Sequence, residues 1–212
     1  MITFSGIDCA GKSTQLELIK QYLDSKGIKS RVIWSRGGYT SLVEGIKKIV
    51  RKDKGYTEEQ KDEFRRELSQ DLIKMKLLLW VSILDLIRYY GIVFRLIEGS
   101  GTLILCDRYI WDTYIDFKIK YPQFEFENWF CWKLMMKIIK KPECSIIFTI
   151  PIEVSMQRSI EKNDPHSEPF DLRLKRLKMY EEEIENGRWE QEVDAQTQIE
   201  AVTLKVKEII GL

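Results

Sequence analysis

The sequence predicts an α/β protein in three layers, a five-stranded parallel sheet flanked by helices. Three observations carry that prediction. Short apolar runs bounded by turn residues alternate with segments of helical period, which is how βαβ units read in sequence. The first apolar run leads into the glycine-bearing stretch GIDCAGKST, residues 6–14, and that stretch into an amphipathic segment. The chain is 44% hydrophobic and 32% charged over 212 residues, which suits one well-buried domain spanning 1–212.

The elements follow in order. Residues 2–5 read as the first strand; Leu16, Ile19 and Leu23 then repeat at helical spacing, with Gly27 placed to cap the helix. Residues 31–34 read as the second strand. The apolar stretch 77–97 approaches membrane length, but Asp85, Arg88 and Arg95 interrupt it on different faces. It predicts a buried core helix, or one that also makes a dimer contact, and no membrane span. Strands three, four and five are predicted at 102–106, 145–150 and 190–194, and all five strands read as central or nearly so. Trp129, Trp132, Met135 and Met136 sit at helical spacings and read as core. The polar, proline-flanked stretch 164–169 reads as the centre of a mobile lid near 158–173. Thr197 and Glu200 have capping-box spacing, and Ile199, Val202, Val206 and Ile209 then share one face that should pack on the sheet.

Charge and composition exclude several function classes. Thirty-four basic residues nearly cancel thirty-three acidic ones, so the net charge of +1 does not point to nucleic acid as a partner. The basic cluster Lys47, Lys48, Arg51, Lys52, Lys54 reads as a solvated helix face. Cys9, Cys106, Cys131 and Cys144 are far apart with no C-x-x-C pair, which fits reduced thiols in a cytoplasmic protein. The N-terminus lacks a basic region followed by a long apolar core, so no secretory signal is expected. His166 is the sole histidine, which excludes a histidine-rich metal site.

GIDCAGKST matches G-x-x-x-x-G-K-[ST] in the strand-to-helix context that the motif requires. Gly6 and Gly11 let the backbone curl so that the N–H groups of Cys9, Ala10 and Gly11 converge on phosphate oxygens at the positive end of a helix. Lys12 then bridges the β- and γ-phosphates of ATP and Ser13 ligates Mg²⁺, while Thr14 caps or supports the nucleotide side. Asp8 is electrostatically awkward beside a triphosphate, so its expected work is to face the acceptor or hold Arg108. No N-K-x-D sequence follows, since EKND at 161–164 has the wrong order, which weighs against a guanine-nucleotide switch.

With GIDCAGKST at 6–14, DRY at 107–109, VDA at 193–195, SRGGYT at 35–40, IPIEVSMQR at 150–158 and RLKRLKMYEEEI at 173–184, the chain resembles the thymidylate kinases over nearly its whole length. The resemblance implies the P-loop kinase fold and phosphoryl transfer from Mg-ATP to a small-molecule acceptor, by default a nucleotide. It implies that Asp107 holds the magnesium shell through water, that Arg108 and Arg36 grip the acceptor's phosphate, and that Arg158 packs on adenine. Arginine suits phosphate because its planar fork pairs two oxygens and stays charged. Arg173 and Arg176 are implied as lid charges on the transferring phosphoryl, or are surface arginines at helical spacing. A homodimer is also implied.

The chain departs from the family where the acceptor base is read. Trp80 falls on the family's aromatic stacking position, but Leu84 stands where an arginine is expected. Asp112 and Asp116 stand where small, hydroxylated or aromatic residues are usual. As acceptor-only groups they could bind hydroxyls or an exocyclic amine of the acceptor, or lie on a solvent face paired with Lys118 and Lys120. The stretch KNDPHSEPFD holds no arginine, and Cys9 stands where some relatives place a loop arginine. Three readings stay open: a nucleoside monophosphate kinase, a kinase of the same fold acting on a sugar, modified nucleoside or natural-product intermediate, and a non-catalytic nucleotide-binding protein.

Overall fold

The computed structural model describes residues 1–35, 71–163 and 167–212. Arg36, the remainder of SRGGYT, the basic cluster at 47–54 and His166 lie outside the described residues. Five strands, β1 (Ile2–Ser5), β2 (Ser30–Trp34), β3 (Leu103–Asp107), β4 (Cys144–Thr149) and β5 (Gln191–Asp194), form one parallel sheet in the order β2-β3-β1-β4-β5. The predicted strands are present, each shifted by at most one residue. β2 and β5 are edges rather than the central strands their apolar runs predict, and on β2 Val32 and Trp34 are 42% and 51% exposed.

The chain divides into two compact units, Met1–Ser35 with Ile97–Asp116 and Lys141–Leu212, and a second whose described residues are 71–96 and Phe117–Lys140. The first holds the sheet. α1 (Lys12–Ser25) buries Leu16, Ile19 and Leu23, and Gly27 takes the left-handed turn (φ 70°) just past its end. The core of this unit stacks Phe4 on Phe148, ring centroids 5.8 Å apart, with Ile146, Ile147 and Val193 beside them.

The second unit contains α2 (Leu72–Arg88), capped by Asp71 whose carboxylate accepts from the N–H groups of Ile73 and Lys74. α2 runs through a π-helical turn, Tyr89–Val93, into α3 (Phe94–Gly99), whose last residues belong to the first unit. By length and composition alone this helical stretch could cross a membrane, a test that core helices of water-soluble proteins also pass. It buries Leu79, Ile83, Leu86, Tyr90 and Phe94, and α2 packs on α5 (Phe130–Ile138). Phe117, Phe126 and Trp132 close that core edge to face.

Among the described residues the other α-helices are α4 (Ile110–Lys120) after β3, α6 (Ile152–Glu161) after β4, α7 (Phe170–Glu185), and α8 (Ile199–Ile210) after β5. Of 158–173, read as a lid, 158–161 close α6 and 170–173 open α7, so half of the stretch is helical. α8 has no side-chain cap, so the Thr197–Glu200 box does not form; Val202 and Val206 are buried while Ile199 is 52% exposed.

Candidate active site

The end of β1 turns into α1 through backbone that few side chains tolerate: Gly6 at φ 136°, Cys9 at φ 62° and Gly11 at φ 89°. Gly6 is also required by space, since a Cβ there would lie 2.5 Å from the carbonyl oxygen of Phe148. Lys12, the first residue of α1, folds back into this loop and donates to the carbonyl oxygens of Gly6 at 2.9 Å and Ile7 at 2.7 Å. Burial, with Arg108 nearby, lowers its pKa to about 7, and Asp8, Asp107 and Asp112 only partly restore it. The loop therefore holds an ammonium short of negative charge, which a phosphate would supply.

Parallel pairing of β1 with β3 sets Asp107 beside Phe4 and delivers Asp107 and Arg108 to the same end of the sheet. Arg108 (φ 71°) anchors its N–H on the Phe4 carbonyl at 2.9 Å and is almost wholly buried. Its Nη1 donates to Gly6 O at 3.1 Å, to the Tyr180 hydroxyl at 3.0 Å and to Asp112 Oδ1 at 3.4 Å; its Nη2 donates to Asp8 Oδ1 at 2.5 Å. Asp8 thus holds Arg108. Burial alone would lower the guanidinium's pKa, but Tyr180, Asp112 and Asp8 more than offset it and keep the group charged.

Asp107 Oδ1 is buried and makes no hydrogen bond. Burial raises the pKa of this carboxyl, against the opposing pull of Lys12 and Arg108. An orphaned carboxylate oxygen beside a phosphate loop, with Ser13 exposed on the first turn of α1, fits a divalent cation shared with phosphate oxygens. Among the described residues no cluster of three His, Cys, Asp or Glu side chains makes a metal cage by itself.

A cavity of about 340 Å³ opens beside the loop, walled by Cys9 to Gln15 on one side and by Arg158, Lys162, Ala195, Thr197, Ile199 and Val202 on the other. Arg158 bridges the two walls, donating to Cys9 O at 3.3 Å and to Ala195 O at 2.9 Å. Arg158 and Ala195 of the VDA motif are thus brought together at the cavity. Lys162 joins this wall without a motif of its own; its place one helical turn after Arg158 is the one sequence signal for it.

The arginines of α7 and the carboxylates of α4 are placed differently from expectation. Arg173 is 0% exposed and donates to the carbonyl and hydroxyl oxygens of Ser155 and to the hydroxyls of Ser159 and Ser167. It is neither a surface arginine nor a group open to a phosphoryl; it bonds Ser155, whose hydroxyl donates to Asp8 O at 2.7 Å. Arg176 is likewise buried, held by Asp116 and Glu168. Asp112 is 1% exposed, so it is neither a solvent-face residue nor a reader of acceptor hydroxyls. Oδ2 accepts from Ser5 Oγ at 2.6 Å and Tyr109 N at 3.0 Å, and Oδ1 from Tyr180 Oη at 2.5 Å and from Arg108. A carboxylate has about four such acceptor positions, and all are used. Asp116 faces Arg176 from the next turn of α4.

In the second unit Trp80 stacks on Trp129, ring centroids 5.8 Å apart and planes 22° off parallel, and Leu84 is 51% exposed on α2. One face of the expected stacking platform is thus already covered.

The strand order, the GKST loop after β1, and Asp107 with the buried Arg108 at the end of β3 define a protein of the P-loop kinase fold. The family model described as Thymidylate kinase matches residues 4–206, and the chain belongs to that family. Among curated relatives, a thymidylate kinase of Thermosipho africanus (strain TCF52B) is 55% identical over 49 residues, 23% of this chain and 24% of the relative. One of Prosthecochloris aestuarii (strain DSM 271 / SK 413) is 45% identical over 49 residues, 23% of this chain and 22% of the relative. The matched stretch therefore spans about a quarter of the length of these relatives.

Proposed function

We propose that the protein is an ATP-dependent kinase that moves the γ-phosphoryl of Mg-ATP to a nucleoside monophosphate, with thymidine monophosphate the default acceptor. One observation supports this most directly: Lys12 and Arg108 both donate to the carbonyl oxygen of Gly6, at 2.9 and 3.1 Å. The lysine that suits donor phosphates and the arginine that suits an acceptor phosphate are thus anchored on one backbone atom. That arrangement fits a transfer whose catalysis is positioning and charge neutralisation. Lys12 neutralises the β- and γ-phosphates, and Arg108, held by Asp8, grips the acceptor. An acceptor phosphate oxygen bonds to the γ-phosphorus as the bond to the β,γ-bridging oxygen breaks, leaving ADP and a diphosphate. Ser13 and Asp107 would hold Mg²⁺, which supplies further neutralisation of phosphate charge. The cavity beside Arg158 takes the adenine end.

The saturated Asp112 removes the best candidate for reading a sugar or polyol, which favours the nucleotide reading. Leu84 favours the alternative, an acceptor without a base carbonyl to pair, because an apolar side chain cannot supply the missing donor. Offering Mg-ATP with a panel of nucleoside monophosphates, nucleosides and sugars, and identifying each product by mass, separates them. Thymidine diphosphate formation carries the default; transfer to a sugar or nucleoside alone replaces it. ATP binding without transfer to any acceptor would leave a nucleotide-binding protein. The reading includes a cytoplasmic location and homodimerisation through the exposed side of α2, which light scattering at micromolar concentration tests.

A further inference from the structure

We propose that Asp112 is a positioning residue for Arg108, and that with Tyr180 it selects which edge of the guanidinium is presented to a phosphate. The proposal rests on the reading of Arg108 as the acceptor-phosphate arginine, and it assigns Asp112 the opposite of a substrate-reading role.

A guanidinium offers five N–H donors in a fixed fork. In Arg108 the Nη1 corner is consumed, since its two hydrogens are shared among Gly6 O, Tyr180 Oη and Asp112 Oδ1. Nη2 spends one hydrogen on Asp8, and among the described residues Nε has no hydrogen-bond partner. What remains is Nε–H and the second hydrogen of Nη2, two donors on the side away from the Nη1 anchors that can meet phosphate oxygens. Without the Nη1 anchors the group could rotate about its terminal torsions and present its other edge.

The jaw that fixes Nη1 is itself rigid. Asp112 Oδ2 is pinned by Ser5 Oγ on β1 and by the N–H of Tyr109 at the head of α4. Oδ1 receives the Tyr180 hydroxyl from α7, and that same hydroxyl accepts from Arg108, closing a triangle of Arg108, Asp112 and Tyr180. Three elements therefore meet on one carboxylate, and none can shift without moving the arginine. The aspartate charge also balances the buried guanidinium, as a serine in this position would not.

The test is a double-substitution cycle with a spectroscopic arm. In the parent, Asp112→Asn keeps the side-chain shape and is expected to lower kcat/KM for the acceptor by about 100-fold, as a misaimed phosphate grip does, while KM for Mg-ATP stays within about twofold. Tyr180→Phe is expected to act in the same direction. In an Arg108→Lys background, Asp112→Asn should cost less than about threefold, because the group it aims is gone. Equal losses in both backgrounds, or a raised KM for Mg-ATP alone, would overturn the proposal. Side-chain ¹⁵N spectra need no acceptor. A slowed Arg108 Cζ–Nε rotation in the parent, freed in Asp112→Asn and Tyr180→Phe, supports the clamp even if no nucleotide is phosphorylated. Equally fast rotation in the parent and both variants defeats it.

Discussion

Arg173 grips Ser155 twice, through the carbonyl oxygen at 2.9 Å and the hydroxyl at 3.0 Å, and Ser155 in turn donates to the backbone of Asp8 in the phosphate loop. Helix α7 thereby reaches the loop through α6 with no charge partner for the guanidinium among these bonds. Arg173→Ala should lower the unfolding free energy by about 2–4 kcal/mol, from the void left and the polar groups stranded. Urea denaturation measures it, and a change below about 0.5 kcal/mol would show that the cluster is not holding α6 to α7.

Lys12 makes stability depend on pH in a stated direction. Its folded pKa, about 7, lies below the ordinary 10.5, so below about pH 7 both states are protonated and the folded state bears the full cost of a buried ammonium. From pH 7 toward 10.5 the folded state gives up its proton first, and that cost is relieved. Lys12→Met should therefore melt higher than the parent at pH 6, with the gap narrowing by pH 9, while losing ATP binding and transfer. Thermal melts across that range check the sign, and a gap that widens with pH contradicts it.

Phosphate should recharge the same lysine. ATP binding above pH 7 is expected to take up protons, so calorimetric binding enthalpies in two buffers of different ionisation enthalpy should differ. At pH 6, where Lys12 is already protonated, the difference should shrink. Identical enthalpies in both buffers at pH 8 would mean that the loop does not perturb Lys12.

Asp107 sets stability against function. Its carboxyl is held above the ordinary range by burial, so at neutral pH the folded state carries an unfavourable charge that is relieved as the pH falls through its raised pKa. Asp107→Asn should raise the ligand-free melting temperature at pH 7 yet weaken Mg²⁺ dependence of ATP binding by about 10–100-fold. Magnesium titrations beside melts resolve both effects; a variant that binds Mg-ATP as the parent does removes Asp107 from the metal shell.

Two glycines of the loop should respond unequally. An alanine at Gly6 combines a positive φ with a 2.5 Å overlap on Phe148 O, whereas at Gly11 nothing lies within 4 Å of the added carbon. Gly6→Ala should cost about 2–4 kcal/mol, from strain and overpacking together. Gly11→Ala should cost about 1–2 kcal/mol from backbone strain alone.

The phosphate loop was legible because its chemistry is written in nine consecutive residues, and each residue type answers a local demand of phosphate or backbone. The strands were legible as apolar runs, but not their order: β2 reads like β3, yet only the pairing leaves Trp34 half exposed. The burial of Asp112 is hidden from the sequence for a related reason. Its partners Ser5 and Tyr180 lie 107 and 68 residues away, and no local pattern distinguishes a carboxylate sealed by such contacts from one facing solvent. Arg173 and Arg176 look like surface charges by spacing, and only the hydroxyls and carboxylates arriving from other elements bury them.

The π-helical turn at Tyr89–Val93 has an effect on geometry beyond its own five residues. Such a turn inserts one residue into the helical count, and one residue rotates everything after it by about 100°. Of the exposed apolar residues, Leu72, Ile73, Leu77 and Leu84 precede it and Ile92 and Leu96 lie within or after it; all but Leu72, at the helix start, bear on one stripe. Counted at 3.6 residues per turn without the insertion, the second set would lie about 100° round the helix from the first; with it, all five fall within about 40° of one another. Deleting a single residue in that turn would split this stripe into two halves facing different directions, with every side chain chemically unchanged.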